Sequence, residues 1–185
     1  MNMTQRLLSL GKRARGSNGK PVFFTRSVDR IIIHWIGPYA NQNVTSPWSW
    51  WENGSDGRGV QASAHFIVKD REVLQALPLE EVGWHSGDTR NHHSIGIEVI
   101  PQHNDGSFSE PTKEKLKELV AYIRKTYPGA KLERHFDGVQ KKDCPRFYTN
   151  AVVMGDGRLP NPAGGEDRWI ELRNYLDGVG EENAV

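Results

Sequence analysis

Short runs of apolar residues, several of them β-branched, predict a buried β-sheet. Residues 30–35, RIIIHW, have the pattern of a central strand covered on both faces, and residues 94–100, SIGIEVI, have the same pattern. Residues 62–69 and 73–78 predict a hairpin around a polar turn. A further strand is expected at 131–134.

Three segments are predicted to be helical. One begins at Ser46 and Pro47 and stops at an Asn-Gly pair, and the clearest, 111–127, begins at a proline and has one apolar face. The last is expected at about 166–177. The predicted fold class is therefore α/β, with a central mixed β-sheet flanked by α-helices.

Length and composition favour one domain. The chain has 185 residues, 36% hydrophobic and 25% charged, which is enough to bury a substantial core. We expect a single domain over 1–185, with a core at 28–150, a basic N-terminal arm at 1–27 and the C-terminal helix after the core.

Charge and hydropathy exclude several functions. A net charge of +1 argues against a nucleic-acid partner, whose phosphates require an excess of basic residues. Seven basic and one acidic residue fall in 1–30, whereas six acidic and two basic residues fall in 166–185. We interpret these ends as two solvated surfaces; a basic arm that weakly holds an anionic polymer is the less favoured alternative. We expect no signal peptide and no membrane insertion, since the apolar runs are too short for either.

The only cysteine, Cys144, lies near two residues of interest for metal chemistry. His135 precedes it by eight intervening residues, and Lys142 is two residues before the thiol. Zinc binds imidazole and thiolate, and a catalytic zinc requires three protein ligands. The third candidate is His34, near the carboxyl end of the first strong strand, where open α/β sheets bind ligands. A buried apolar cysteine and a histidine bonded to a carbonyl are the alternatives.

A carboxylate within a predicted apolar strand is the next candidate. Glu98 lies in SIGIEVI, where burial costs several kcal/mol unless the group is paired, hydrogen-bonded or beside a metal. Burial also raises a carboxyl pKa toward the range useful for proton transfer. Glu98 is therefore a candidate acid–base residue.

Five motifs in one order carry a resemblance to a known family. The chain resembles the zinc-dependent N-acetylmuramoyl-L-alanine amidases over about 28–150, and within them the catalytic domains of phage and prophage endolysins. The motifs are IIIHW (31–35), SAHFIV (63–68), VGWHSGD (82–88), SIGIEV (94–99) and RHFDGVQKKDCP (134–145).

The resemblance implies roles at matching positions. It makes His34, His135 and Cys144 the ligands of one catalytic Zn²⁺, in a crevice at one sheet edge. Glu98 would transfer protons, and Lys142 would help zinc to stabilise the oxyanion. Zinc would also lower the pKa of its water toward ~7.

The resemblance also concerns the substrate groove. It implies that His85 contacts substrate, and we extend that expectation to Trp35 and Trp84 in the same motifs. One departure is Ala64, which stands where related phage lysozymes have a catalytic tyrosine. Relatives with alanine there tend to carry the glutamate of the IGIE strand, which favours Glu98.

The function implied is hydrolysis of the amide between N-acetylmuramic acid and L-alanine in peptidoglycan. A phage or prophage lysin of this kind would be a monomer, made in the cytoplasm, that acts on the cell wall after release. One alternative is a muropeptide-binding module that does not cut. Another is an interaction domain, either metal-free or with a structural metal whose four-ligand shell is closed by a further histidine: His65, His85, His92, His93 or His103.

Overall fold

The computed structural model describes residues 1–54, 62–139, 142–151 and 163–179. Six strands form one mixed sheet. They are β1 (Thr4–Gln5), β2 (Arg30–Trp35), β3 (Phe66–Lys69), β4 (Glu72–Gln75), β5 (Ser94–Val99) and β6 (Lys131–Arg134). The order across the sheet is β1-β4-β3-β5-β2-β6, and only the β3–β4 hairpin is antiparallel.

The described helices cover both faces of this sheet. They are α1 (Thr45–Asn53), α2 (Glu110–Thr126), α3 (His135–Gly138) and α4 (Gly165–Asp177). Helix α2 begins where the Ser109 side chain accepts a hydrogen bond from the Thr112 amide, with a proline in its first turn. Its buried stripe and that of α4 join the larger hydrophobic core, whereas α1 packs its tryptophans on a smaller cluster.

Alternation along the central strands decides which side chains reach each face. Ile31, Ile33 and Trp35 of β2 belong to the larger core, and so do the odd-numbered positions of β5. Since successive strand residues point to opposite faces, His34 and Glu98 lie on the other face, side by side in register. The register therefore puts both groups at one place.

The predicted α/β class, single domain and mixed sheet are confirmed. The strands at 30–35 and 131–134 have the expected bounds, and the C-terminal helix is within one residue of its predicted start. The hairpin strands are shorter than predicted, because beyond Gln75 the amides of Ala76 and Leu77 both donate to His65 O while the His65 amide donates to Gly96 O, which ends the regular ladder. The hairpin turns at Asp70, whose φ is 48°.

The N-terminal segment differs from the expected arm. Thr4 and Gln5 form β1, a parallel edge strand on β4, and Leu8 is fully buried in the smaller cluster. A two-residue strand is too short to show an alternating pattern, so no local pattern predicts it. In the described part of the chain, no helix has the length and apolar character needed to cross a membrane.

The start of α4 yields a test of packing. A Cβ on Gly165 would lie 2.0 Å from Thr149 O, so Gly165→Ala forces the helix away from the preceding segment. We expect the free energy of unfolding, measured by urea titration, to fall by roughly 3 kcal/mol. Gly178→Ala, after the same helix, is the control: it has a φ of +74° and no neighbour within 4 Å. It should cost only about 1 kcal/mol of left-handed strain, and equal losses would contradict the packing argument.

Candidate metal centre and active site

Three side chains of the predicted metal set lie together at one end of the sheet. The ligand atoms of His34, His135 and Cys144 are all within 4.8 Å of one another, and all three residues are buried. The pairing of β2 with β6 places Ile33 opposite Arg134. The residues that follow, His34 and His135, therefore lie side by side. Their ring centroids are 4.6 Å apart. The cluster is able to hold a metal ion.

The hydrogen bonds of His135 and His34 show which ring nitrogen of each residue faces the cluster. His135 Nε2 is 2.8 Å from the carbonyl oxygen of Ser86, which only accepts, so Nε2 carries the proton and Nδ1 keeps its lone pair. His34 Nε2 is 3.0 Å from His85 Nδ1, while His34 Nδ1 is 3.6 Å from Cys144 Sγ. Tetrahedral zinc with usual bond lengths separates such a nitrogen and sulfur by about 3.6 Å.

Burial controls the protonation of all three groups. It lowers the pKa of His34 far below its ordinary value and that of His135 to about 4. Both imidazoles are therefore neutral near pH 7, which is the form that binds metals. Burial also raises the pKa of the Cys144 thiol, with the Glu98 carboxylate as the next cause. A metal bound here displaces the thiol proton.

Trp35 has a different place from the one expected. It was predicted to bind substrate, but the residue is 7% exposed, belongs to the larger core and is not part of the groove lining. Its indole Nε1 donates to Asp143 O at 2.8 Å, and its backbone amide donates to Cys144 Sγ at 3.5 Å. The large apolar ring makes burial favourable, and its polar edge positions the segment that carries the thiol.

Glu98 lies on the strand next to His34. It is the register partner of His34, and its Oε2 atom is buried with no hydrogen-bond partner among the described residues. Burial raises its pKa to about 8. An unpartnered carboxylate oxygen of raised pKa next to a metal-binding cluster is typical of an acid–base residue.

A groove of 890 Å³ opens beside the cluster. Its lining includes His135, His85, Trp84 and Lys142, and the Lys142 side chain is exposed. The ammonium of Lys142 is among the charges that lower the pKa of His34 and His135. The groove places His85 and Trp84 where a ligand has access, and their substrate role stays a prediction.

Sequence reasoning missed the turn that supports His135. Arg90 is buried, pairs with Asp88 at 3.0 Å and donates to the carbonyls of Arg134 and His135 at 3.3 and 3.0 Å. A Cβ at Gly138 would lie 2.0 Å from Arg90 Cζ, so the glycine leaves room for the guanidinium. Such a polar segment shows no periodicity, and Arg90 lies outside the five motifs, so no local signal indicated its burial.

The other histidines bear on the alternative of a structural four-ligand metal. His65 Nε2 donates to Glu81 O and its Nδ1 accepts from the Gly96 amide, so the backbone uses both nitrogens. Burial lowers the pKa of His65 to about 4. Within the described ranges no fourth histidine, cysteine or carboxylate joins the cluster. Three candidate ligands without a fourth among the described residues favour an open metal site over a closed structural one.

Solved structures have the same fold. The catalytic domain of XlyA superimposes with a TM-score of 0.66 at 20% identity, over 95% of this chain and 99% of that chain. At that level of identity the likeness concerns the fold alone.

Curated sequences are similar over part of the chain. XlyA of Bacillus subtilis strain 168, an N-acetylmuramoyl-L-alanine amidase, is 38% identical over 90 residues, which cover 45% of this chain and 29% of XlyA. CwlH of the same strain, also an N-acetylmuramoyl-L-alanine amidase, is 36% identical over 95 residues, which cover 45% and 35% respectively. The matched part thus spans about a third of the length of these relatives.

A match to a whole family covers more of the chain than either relative. Residues 24–147 match the family described as N-acetylmuramoyl-L-alanine amidase, and this range contains every predicted metal ligand and Glu98. The chain belongs to the N-acetylmuramoyl-L-alanine amidase family.

Proposed function

We propose that this chain hydrolyses the amide between the lactyl group of N-acetylmuramic acid and the L-alanine of the stem peptide in peptidoglycan, and that it acts as a phage or prophage lysin. The observation that carries the proposal is the buried His34, His135 and Cys144 cluster beside a groove of 890 Å³. Because the matched part is about a third of the curated relatives, the activity is inferred from this site and from the family.

Zinc is the metal that the donor set fits. Imidazole nitrogen and thiolate sulfur are donors that zinc binds, and three protein ligands leave the fourth position of a catalytic zinc to water or substrate. The lone pair of His135 Nδ1, the Sγ to Nδ1 distance of 3.6 Å and the orphaned Oε2 of Glu98 agree with this assignment. Zinc bound here would polarise the scissile carbonyl and activate a water near neutral pH.

The chain's own groups then move protons and stabilise charge. Glu98 as carboxylate accepts a proton from the attacking water and returns it to the leaving amine, a role that its raised pKa suits. The carboxylate form of Glu98 would be favoured by a divalent cation held at His34, His135 and Cys144. Lys142, on the groove wall, supports the negative charge that develops on the carbonyl oxygen.

The groove suits an extended polar substrate. Its lining combines the indole of Trp84 with polar groups such as Ser86 and Asn91, which is the mixture that holds sugars and peptides in place. Together with the family match, this lining supports bacterial cell-wall peptidoglycan as the proposed substrate and the cell wall as the place of action.

Mass spectrometry of digested cell wall tests the proposed activity. Amidase action leaves glycan with intact lactyl groups and stem peptides with a free L-alanine amine. An endopeptidase or glycosidase would leave other new ends, and binding without any release would identify a recognition module.

Replacing Cys144 with serine tests the metal ligands. A neutral hydroxyl binds zinc far more weakly than a thiolate, so Cys144→Ser should lose most of its zinc after brief chelator treatment and nearly all activity. Zinc per chain is measured by plasma mass spectrometry, and wall lysis by turbidity. One zinc per chain with full activity would refute the three-ligand assignment.

Replacing Glu98 with glutamine tests proton transfer. Glu98→Gln keeps the shape but cannot accept the proton, so turnover should fall by roughly two to four orders of magnitude, as loss of a general acid–base group does. Melting temperature and zinc content should stay unchanged. Glu118→Gln on exposed α2 surface is the control. A large drop in melting temperature with turnover intact would make Glu98 structural.

Replacing Lys142 with alanine tests charge stabilisation at the groove. We expect Lys142→Ala to raise the barrier of the chemical step by roughly 2 to 4 kcal/mol, as removal of one oxyanion donor does, with zinc content unchanged. Lys141→Ala, which removes the same charge one position earlier and lies outside the described residues, is the control. Equal effects on single-turnover rates would show a general basic patch.

A further inference from the structure

Two of the three metal ligands have identifiable supports, and the third has an unusual one. His135 is supported by a backbone carbonyl of Ser86, and Cys144 by the Trp35 amide. His34 is supported by the side chain of another histidine, His85, at 3.0 Å from its Nε2. Of these three supports, only the one to His34 comes from a side chain, so a substitution at His85 removes it without changing a metal ligand.

We propose that His85 is a positioning residue that fixes the tautomer and ring orientation of His34, through a hydrogen-bond chain that ends at the backbone of Arg90. This rests on the proposed function, because it takes His34 to be a metal ligand. It assigns His85 a role distinct from contact with substrate.

The donors and acceptors from Ser94 to His34 are consistent with one placement of the protons. The Ser94 hydroxyl has one proton and donates it to Arg90 O at 2.6 Å. Its oxygen therefore accepts from His85 Nε2–H, which is 3.4 Å away. With its proton on Nε2, His85 has a lone pair on Nδ1 and accepts from His34 Nε2–H.

The consequence for the ligand is specific. A neutral imidazole has one N–H, so a His34 that donates from Nε2 presents a bare Nδ1, and Nδ1 is the atom 3.6 Å from Cys144 Sγ. The opposite tautomer would direct an N–H at the cluster and could not bind a metal there. Outer hydrogen bonds of this kind orient metal-binding histidines in general.

The backbone around His85 holds its ring in this place. A Cβ at Gly96 would lie 2.4 Å from His85 Cγ, so the absence of a side chain on β5 leaves the space that the ring occupies. The His85 amide donates to Asn91 Oδ1 at 3.0 Å, which ties the turn to the segment before β5. The His34 and His85 rings meet edge to face, with centroids 5.1 Å apart.

Zinc affinity separates this role from a substrate role. The affinity of wild type, His85→Leu and His85→Asn is measured by competition with a chromophoric chelator. Leucine keeps much of the volume but cannot accept the hydrogen bond, so its zinc dissociation constant should rise roughly 10- to 100-fold. Asparagine carries an acceptor oxygen near the position of Nδ1 and should recover most of that loss. His92→Leu, exposed on the same groove, should bind zinc as wild type does.

A spectroscopic readout tests the geometry itself. With cobalt in place of zinc, the ligand-field bands of His85→Leu should shift or broaden relative to wild type, and those of His85→Asn should return toward it. The melting temperature of each chelator-treated variant shows whether it folds. If His85→Leu does not fold, His85→Asn and Ser94→Ala are used instead. We expect Ser94→Ala to bind zinc a few-fold more weakly than wild type. Unchanged zinc binding in Ser94→Ala would show that this series of hydrogen bonds does not matter.

The outcomes distinguish the two proposals. Equal zinc affinity and equal cobalt spectra for wild type and a folded His85→Leu would overturn the positioning role, and a raised KM with unchanged zinc binding would return His85 to a substrate role. A wild-type chain that takes up no zinc would instead overturn the proposed function.

Discussion

Parallel pairing of β2 with both β5 and β6 is the constraint on which the site depends. Because the three strands run the same way and in fixed register, their carboxyl ends meet at one edge, with Glu98 beside His34 and His135 next to it. A shift of one residue in either pairing would send a functional side chain to the opposite face. The apolar side chains of β2, packed under α2 and α4, hold that register.

The turn between the hairpin and β5 orients the side chains that the strands bring together. It supplies the Ser86 carbonyl to His135 and the His85 ring to His34, while Arg90 holds the chain that leaves β6. Polar groups in this turn bond to backbone atoms of the segment that carries His135, so the geometry of the three-residue cluster depends on a region that contributes no member to it. Buried polar networks of this sort are costly unless every member is paired.

The sequence was sufficient for most of the strands because they depend on local signals, whereas the set of His34, His135 and Cys144 was completed by the family resemblance. A β-branched run, a helix that begins at a proline and a histidine at a strand end are each visible within a few residues. It was insufficient for β1, whose two residues are stabilised only by pairing with a distant strand. It also misplaced Trp35, since motif membership does not say whether an indole faces a groove or the core. The hydrogen bonds of His85 depend on residues up to 51 positions away, beyond any local pattern.

The burial of Cys144 also governs its redox chemistry. Oxidants attack the thiolate, and they do so more readily when sulfur is exposed. Here Cys144 is 9% exposed and burial raises the pKa of its thiol, so the reactive thiolate is scarce near neutral pH. The desolvation that sets the protonation of this sulfur therefore also shields it from oxidation.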